Sequence, residues 1–242
     1  MKRINLWSSP RNVSTALMYS FAQRSDTTVV DEPLYAHYLA HGAVGVEHPG
    51  EEEVLASQSS DAGEVIREVL MGRYERPVVV FKQMTHHLTE GLDLSFLKEM
   101  ENVLLIRDPR AILSSYAKVI SNPGIRDVGI RQQTELLEYL EHSGALSAVV
   151  DAKELLLDPS AVLGTLCERL GIPFDPSMLR WEAGPRPEDG VWAKYWYSAV
   201  HRSTGFQPYS AETDPLPVHL EELAEECRPF YEKLYRKAIK AR

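Results

Sequence analysis

Two cysteines in 242 residues, Cys167 and Cys227, stand far apart and outside any CxxC spacing. That excludes a disulfide framework, a zinc ribbon and a dithiol redox motif, and predicts two buried thiols. No apolar run is long enough to span a bilayer, and Lys2 and Arg3 precede no signal-peptide core. The expectation is a soluble, cytoplasmic protein with no membrane partner. Positive charge is scarce as well: 26 Lys and Arg against 35 Asp and Glu give a formal charge of −9. No broad footprint for nucleic acid exists, so any anion must be held by a few placed arginines and backbone amides. The chain contains no Gly-Lys pair. A Walker A loop is thereby excluded, and with it the lysine on which an ordinary kinase or GTPase depends.

What is present fits one globular domain over residues 1–242, with 44% hydrophobic and 25% charged residues. Apolar runs at residues 4–7, 28–30, 78–81, 103–106 and 148–150 alternate with helical patterns at 13–24, 34–41, 62–72, 110–120, 129–142 and 161–170. This alternation predicts an α/β fold, a three-layer doubly wound and mainly parallel sheet, with its core in residues 1–176. Residues 177–242 read differently, as Trp and Tyr among Gly and Pro followed by a helix over 218–240, and suit a lid or packing segment. The acidic stretch 48–60 reads as a surface loop or mobile helix.

The first run passes through Ser8-Ser9-Pro10-Arg11-Asn12-Val13-Ser14-Thr15 into a helix. The first N–H groups of a helix lack intrahelical partners and lie at the positive end of its dipole, so this turn can bind an anion, with Arg11, Ser14 and Thr15 as further donors. The same residues equally suit a helix capped by Asn12 or Ser14 with Arg11 solvated. A second strand-to-helix passage, Ile106-Arg107-Asp108-Pro109, places an arginine at the strand end and a proline in the first helical turn. Ser115, eight residues after Arg107, can converge with it on one anion. Two places offer a proton acceptor: Glu32, at the end of the second run, and His86 or His87, after the third. Adjacent histidines on a strand would point to opposite faces, and no third ligand is evident, so no metal is expected.

Pro10-Arg11-Asn12-Val13-Ser14-Thr15 resembles the P-[KR]-S-G-[TS]-T loop of the sulfotransferases, with Asn12 for Ser and Val13 for Gly. Glycine at the latter place would permit a positive φ. Arg107-Asp108-Pro109-Arg110, followed by Ser115-Tyr116, resembles the same family's R-[ND]-P-[KR]-x₄-S-Y element. Asp31-Glu32-Pro33 is similar to a G-E-P element, Lys82 to Leu88 to K-T-H-L with two residues inserted, and residues 149–159 to a Y-E-D-L strand and helix. Arg186 to Lys194 faintly resembles a lid written R-K-G-x-x-G-D-W-K, with different spacing.

The resemblance implies a donor, 3′-phosphoadenosine 5′-phosphosulfate (PAPS), with adenosine 3′,5′-bisphosphate (PAP) as product and no required metal. Arg11 and the amides of Asn12, Val13, Ser14 and Thr15 would hold its 5′-phosphosulfate, and Arg107 and Ser115 its 3′-phosphate. Glu32 would be the base, with His86 the alternative; Trp192 could stack on a ring and Lys194 meet a phosphate, although a Trp and Tyr cluster near Pro more commonly packs a core. The acceptor would be a small molecule of unknown identity, and a homodimer is left open. Two rivals stand beside this reading. One is a nucleotide kinase or hydrolase with magnesium on Asp31 or Asp108, the other a non-catalytic nucleotide-binding protein.

Overall fold

A computed structural model describes residues 1–42, 48–116, 123–210 and 216–241. Strands β1 (Lys2–Ser8), β2 (Thr27–Asp31), β3 (Val78–Met84), β4 (Glu101–Ile106) and β5 (Leu146–Asp151) contain the five apolar runs. They form a parallel sheet in the order β2-β3-β1-β4-β5, and a short sixth strand, β6 (Ala238–Ile239), adds to β5 at the edge. That strand corrects the expected helix over 218–240. The helix ends at Tyr235, and Ala238 and Ile239 instead bury themselves beside Val149 and Val150. A two-residue strand carries no periodicity to distinguish it from the helix before it.

The helices are α1 (Ser14–Ala22), α2 (Tyr35–His41), α3 (Glu51–Ser57), α4 (Ala62–Glu64), α5 (Pro109–Tyr116), α6 (Ile125–Val128), α7 (Ile130–Ser143), α8 (Ala152–Leu157), α9 (Pro159–Arg169), α10 (Ala193–Trp196) and α11 (Glu221–Tyr235). Helix α4 continues into a π-helical turn, Val65–Leu70. The acidic stretch resolves into α3, held down by buried Val54. The end of the helix expected over 110–120 lies outside the described residues. No described helix is long and apolar enough to cross a membrane.

Both faces of the sheet are covered. Trp7, Val79, Phe81, Leu104 and Ile106 pack under α5, α7 and α11, while Ile4, Leu6, Val80, Val103 and Leu105 pack against α1 and α9. Burial on both sides explains why the strands read as unbroken apolar runs instead of alternating ones. Cys167 and Cys227 lie one in each layer, and burial pushes their thiols up to about 11 and about 12, away from reactivity.

From β1 the chain first builds β2 and β3 on one side, then crosses to β4 and β5 on the other. The loops leaving the carboxyl ends of β1 and β4 therefore diverge, and a crevice opens between them where such sheets bind ligands. Asn102 locks this pair of strands: its Oδ1 accepts from Asn5 Nδ2 and Trp7 Nε1, each at 3.1 Å. Its Nδ2 donates to the carbonyls of Leu97, Met100 and Ala145.

Candidate functional site

The loop after β1 turns at Arg11, whose φ is 54°, and enters α1 at Ser14. Val13 has φ −88°, so the backbone position that favours glycine is Arg11, and a β-branched side chain sits at position 13 without strain. No side chain caps α1. Asn12 instead donates its Nδ2 to the Leu105 carbonyl at 3.0 Å, tying the loop to β4, and accepts the Val13 N–H on its Oδ1 at 2.8 Å. The capping alternative is thus corrected. Of the expected loop amides, the one on Val13 is already engaged within the loop.

Arg107 leaves β4 beside this turn and donates Nη1 to the Arg11 carbonyl. Arg11 in turn donates Nε to Ser115 Oγ on α5 at 2.9 Å. Three residues named from two distant motifs therefore meet at one point. Among the described residues neither guanidinium has a carboxylate partner. Asp108 turns away to accept the Arg110 N–H, and Arg110 pairs with Glu221 on α11. Burial, and then the neighbouring Arg11 charge, hold Arg107 below the usual guanidinium range. Two adjacent guanidiniums with no hydrogen-bonded carboxylate among the described residues, Asp108 and Asp151 acting on Arg107 only from a distance, form a site that a polyanion would stabilise.

A family profile described as Sulfotransferase domain matches residues 1–242. The chain belongs to the sulfotransferase domain family. It is 39% identical over 231 residues to the branched-chain-amino-acid aminotransferase-like protein 2 of Arabidopsis thaliana, covering 96% of this chain and 41% of that protein. The like-named protein 1 of the same plant is 41% identical over 228 residues, covering 94% and 40%. The chain thus spans about two fifths of the length of these curated relatives. Its fold is similar to the sulfotransferase domain from the curacin biosynthetic pathway, with a TM-score of 0.56, 18% identity and coverage of 98% and 99%. A sulfotransferase from Alicyclobacillus acidocaldarius gives a TM-score of 0.53 at 14% identity, covering 99% and 97%. A three-layer sulfotransferase fold follows.

Glu32 stands at the end of β2 in this sulfotransferase fold with φ 40°. It and Arg11 are the described non-glycine residues with positive φ, and such strain persists only where surrounding contacts impose it. Here the contacts are polar and buried. Lys82 on β3 bonds Glu32 Oε1, Asp31 Oδ1 at 2.9 Å and the Tyr197 hydroxyl at 2.7 Å. Burial raises the Glu32 carboxyl above its ordinary value, against the opposing pull of Lys82. Its other oxygen, Oε2, lies 3.9 Å from His87 Nε2.

His86 and His87 sit on a 3₁₀ turn, Thr85–His87, not on a strand, so the expectation of opposite faces is corrected. Their rings meet edge to face at 4.6 Å, and His87 stacks on both Tyr35 and Tyr38. Burial pushes His86 down to about 3, which leaves a neutral imidazole near pH 7. His86 also lines a cavity of about 210 Å³ with Pro10, Tyr38, His48, Tyr116 and Gln132, next to the β1 loop. Glu32 does not line it.

Trp192 follows the packing alternative, and Lys194 is held in an ion pair. Trp192 is buried against Tyr35, with its Nε1 donating to Tyr197 at 3.1 Å, and Lys194 pairs with Glu53 on α3 at 2.6 Å. Tyr197 lies outside every motif, and Lys82 opens the K-T-H-L-like segment without a role of its own. A signal for Lys82 existed, since a lysine ending a buried apolar strand needs acid partners, and Asp31-Glu32 ends another. Tyr197 had none.

Proposed function

We propose that this chain moves a sulfuryl group from PAPS to a hydroxyl or amine of a small-molecule acceptor and releases PAP. One observation carries the reading: Arg11 and Arg107, from separate strand-loop elements, stand together with Ser115, and among the described residues no carboxylate is hydrogen-bonded to either. Arg11, with the first-turn groups Ser14 and Thr15, holds the 5′-phosphosulfate. Arg107 and Ser115 hold the 3′-phosphate. The residues fit a donor anionic at both ends, because α1 has no side-chain cap and neither guanidinium is hydrogen-bonded to a carboxylate among the described residues.

In the transfer, the bond from sulfur to the bridging oxygen breaks as the acceptor's oxygen or nitrogen bonds to sulfur. Arg11 neutralises charge on the leaving oxygen, and Glu32 takes the acceptor's proton on Oε2. No metal enters this scheme. A second reading gives the proton to His86, because that ring lines the cavity beside the loop and Glu32 does not. The kinase alternative loses support from Asp31, whose two oxygens are engaged by Lys82, Tyr197 and Gly190.

Calorimetric titration of the chain with PAP and, separately, with ATP tests the donor. PAP is expected to bind in the micromolar range and more tightly than ATP. No heat from PAP, with ATP binding retained, would overturn the assignment.

A further inference from the structure

The polar atoms around Glu32 can be counted one by one. Lys82 Nζ has three N–H donors, which go to Asp31 Oδ1, Glu32 Oε1 and the Tyr197 hydroxyl. The Tyr197 hydroxyl accepts from Lys82 and from Trp192 Nε1, and donates to Asp31 Oδ2 at 2.7 Å. Asp31 Oδ2 also accepts the Gly190 N–H at 3.1 Å. Asp31 thus receives three donors and Glu32 only one. His87 Nε2, at 3.9 Å from Glu32 Oε2, is beyond hydrogen-bond reach.

We propose that Tyr197 is a positioning residue for Glu32, acting through Lys82 and Asp31, so that Glu32 Oε2 is left as the one carboxylate oxygen of the cluster without a donor. The inference rests on Glu32 being the proton acceptor. Its logic is one of charge and of hydrogen-bond supply. One lysine faces two buried carboxylates, so the ionised cluster carries an excess negative charge, and a single proton makes it neutral. Both oxygens of Asp31 already receive donors, and Oε2 of Glu32 is the carboxylate oxygen left open to that proton. By saturating Asp31 and taking the third N–H of Lys82, Tyr197 directs the proton to Glu32.

The arrangement is anchored independently of Glu32. The segment bearing Tyr197 is tied to α1 through Asp189, which accepts the Tyr19 hydroxyl at 2.6 Å and faces His201 Nε2 at 2.9 Å. It is tied to α3 through Lys194 and Glu53. The backbone of Glu32 is pinned as well, its N–H donating to the Lys82 carbonyl at 2.8 Å and its carbonyl accepting from Gln58 Nε2 at 3.1 Å. Tyr197 therefore serves as a fixed reference against which Lys82 is held. The titratable groups facing Glu32 are Asp31, Lys82, Tyr197, Tyr35 and His87.

The test is a carboxyl titration in the full chain carrying ¹³C-carboxyl glutamate, with Glu32→Gln locating the Glu32 resonance. In Tyr197→Phe, Asp31 loses a donor and competes for the proton while the freed Lys82 N–H turns to Glu32, so the Glu32 midpoint should fall by roughly half a unit to one unit. An unmoved midpoint in folded Tyr197→Phe would refute the proposal. Should that variant fail to fold, Trp192→Phe removes only the indole donor to the Tyr197 hydroxyl. It should move the midpoint in the same direction, and no movement would count equally against the role. PAP calorimetry on the same samples should stay within about twofold of wild type, a change well under 1.4 kcal/mol. Loss of PAP binding in the wild type would strike the donor assignment and leave the carboxyl titration standing.

Discussion

Arg107→Ala takes one of two adjacent guanidiniums out of the crevice at the ends of β1 and β4, and its consequences divide between the free and the liganded protein. Arg107 makes a bond to the Arg11 carbonyl, and loses stability to burial and to the Arg11 charge. Removing it forfeits the first and relieves the second, so the unliganded chain should change by no more than about 1 kcal/mol. PAP binding should change far more. A charge-assisted hydrogen bond contributes about 1.5 to 3 kcal/mol, which is roughly a 10- to 150-fold loss of affinity. ATP has no 3′-phosphate, so its binding should fall much less. Calorimetry with both ligands, alongside urea midpoints without ligand, separates these terms, and Arg107→Lys should recover part of the loss because it restores charge but not the fork. PAP affinity within about threefold of wild type in Arg107→Ala would refute the 3′-phosphate assignment.

Glu32→Gln should preserve PAP binding and lower sulfuryl transfer by about 10² to 10⁴-fold, measured with ³⁵S-labelled PAPS once an acceptor is found; undiminished transfer would pass the proton to His86. The histidine pair makes stability pH-dependent with a definite sign. The His86 pKa is about 3 when folded and ordinarily about 6.5 when unfolded. Its contribution is complete above the unfolded value and is lost as pH falls toward 3, because only the unfolded chain takes up the proton. The urea midpoint should therefore drop between pH 7 and pH 5, and the drop should shrink in His86→Asn; an equal drop in both proteins would sink this account. Glu32, raised by burial, works in the opposite sense, with stability declining as pH rises from the ordinary carboxylate value toward its folded one.

The extent to which the site was readable follows from where its information lies. Arg107 and Ser115 share one strand-turn-helix unit, and so do Arg11 to Thr15, so local spacing is enough to put each set on its own element. Position 13 could not be judged that way. Whether it needed glycine depended on which loop residue takes the positive φ, and that is set by Asn12 reaching across to the Leu105 carbonyl. The histidine pair was misplaced because the end of β3 gives way to a 3₁₀ turn within a single polar stretch. For Trp192 and Lys194 a linear motif leaves ligand contact and packing both open, because it does not show that Tyr35 and Glu53 lie opposite them.

By itself the amino-acid sequence determined the layered α/β fold, through apolar runs too continuous for one-sided burial, and the presence of two strand-turn-helix elements that each carry an arginine at the turn. It also excluded a Walker lysine outright. Only the tertiary structure decided that the two elements share one point, because β1 and β4 are neighbours in the sheet while lying far apart in the chain. It alone decided how Glu32 is held, since Asp31, Lys82 and Tyr197 come from separate segments and burial forces their charges and hydrogen bonds to be matched together.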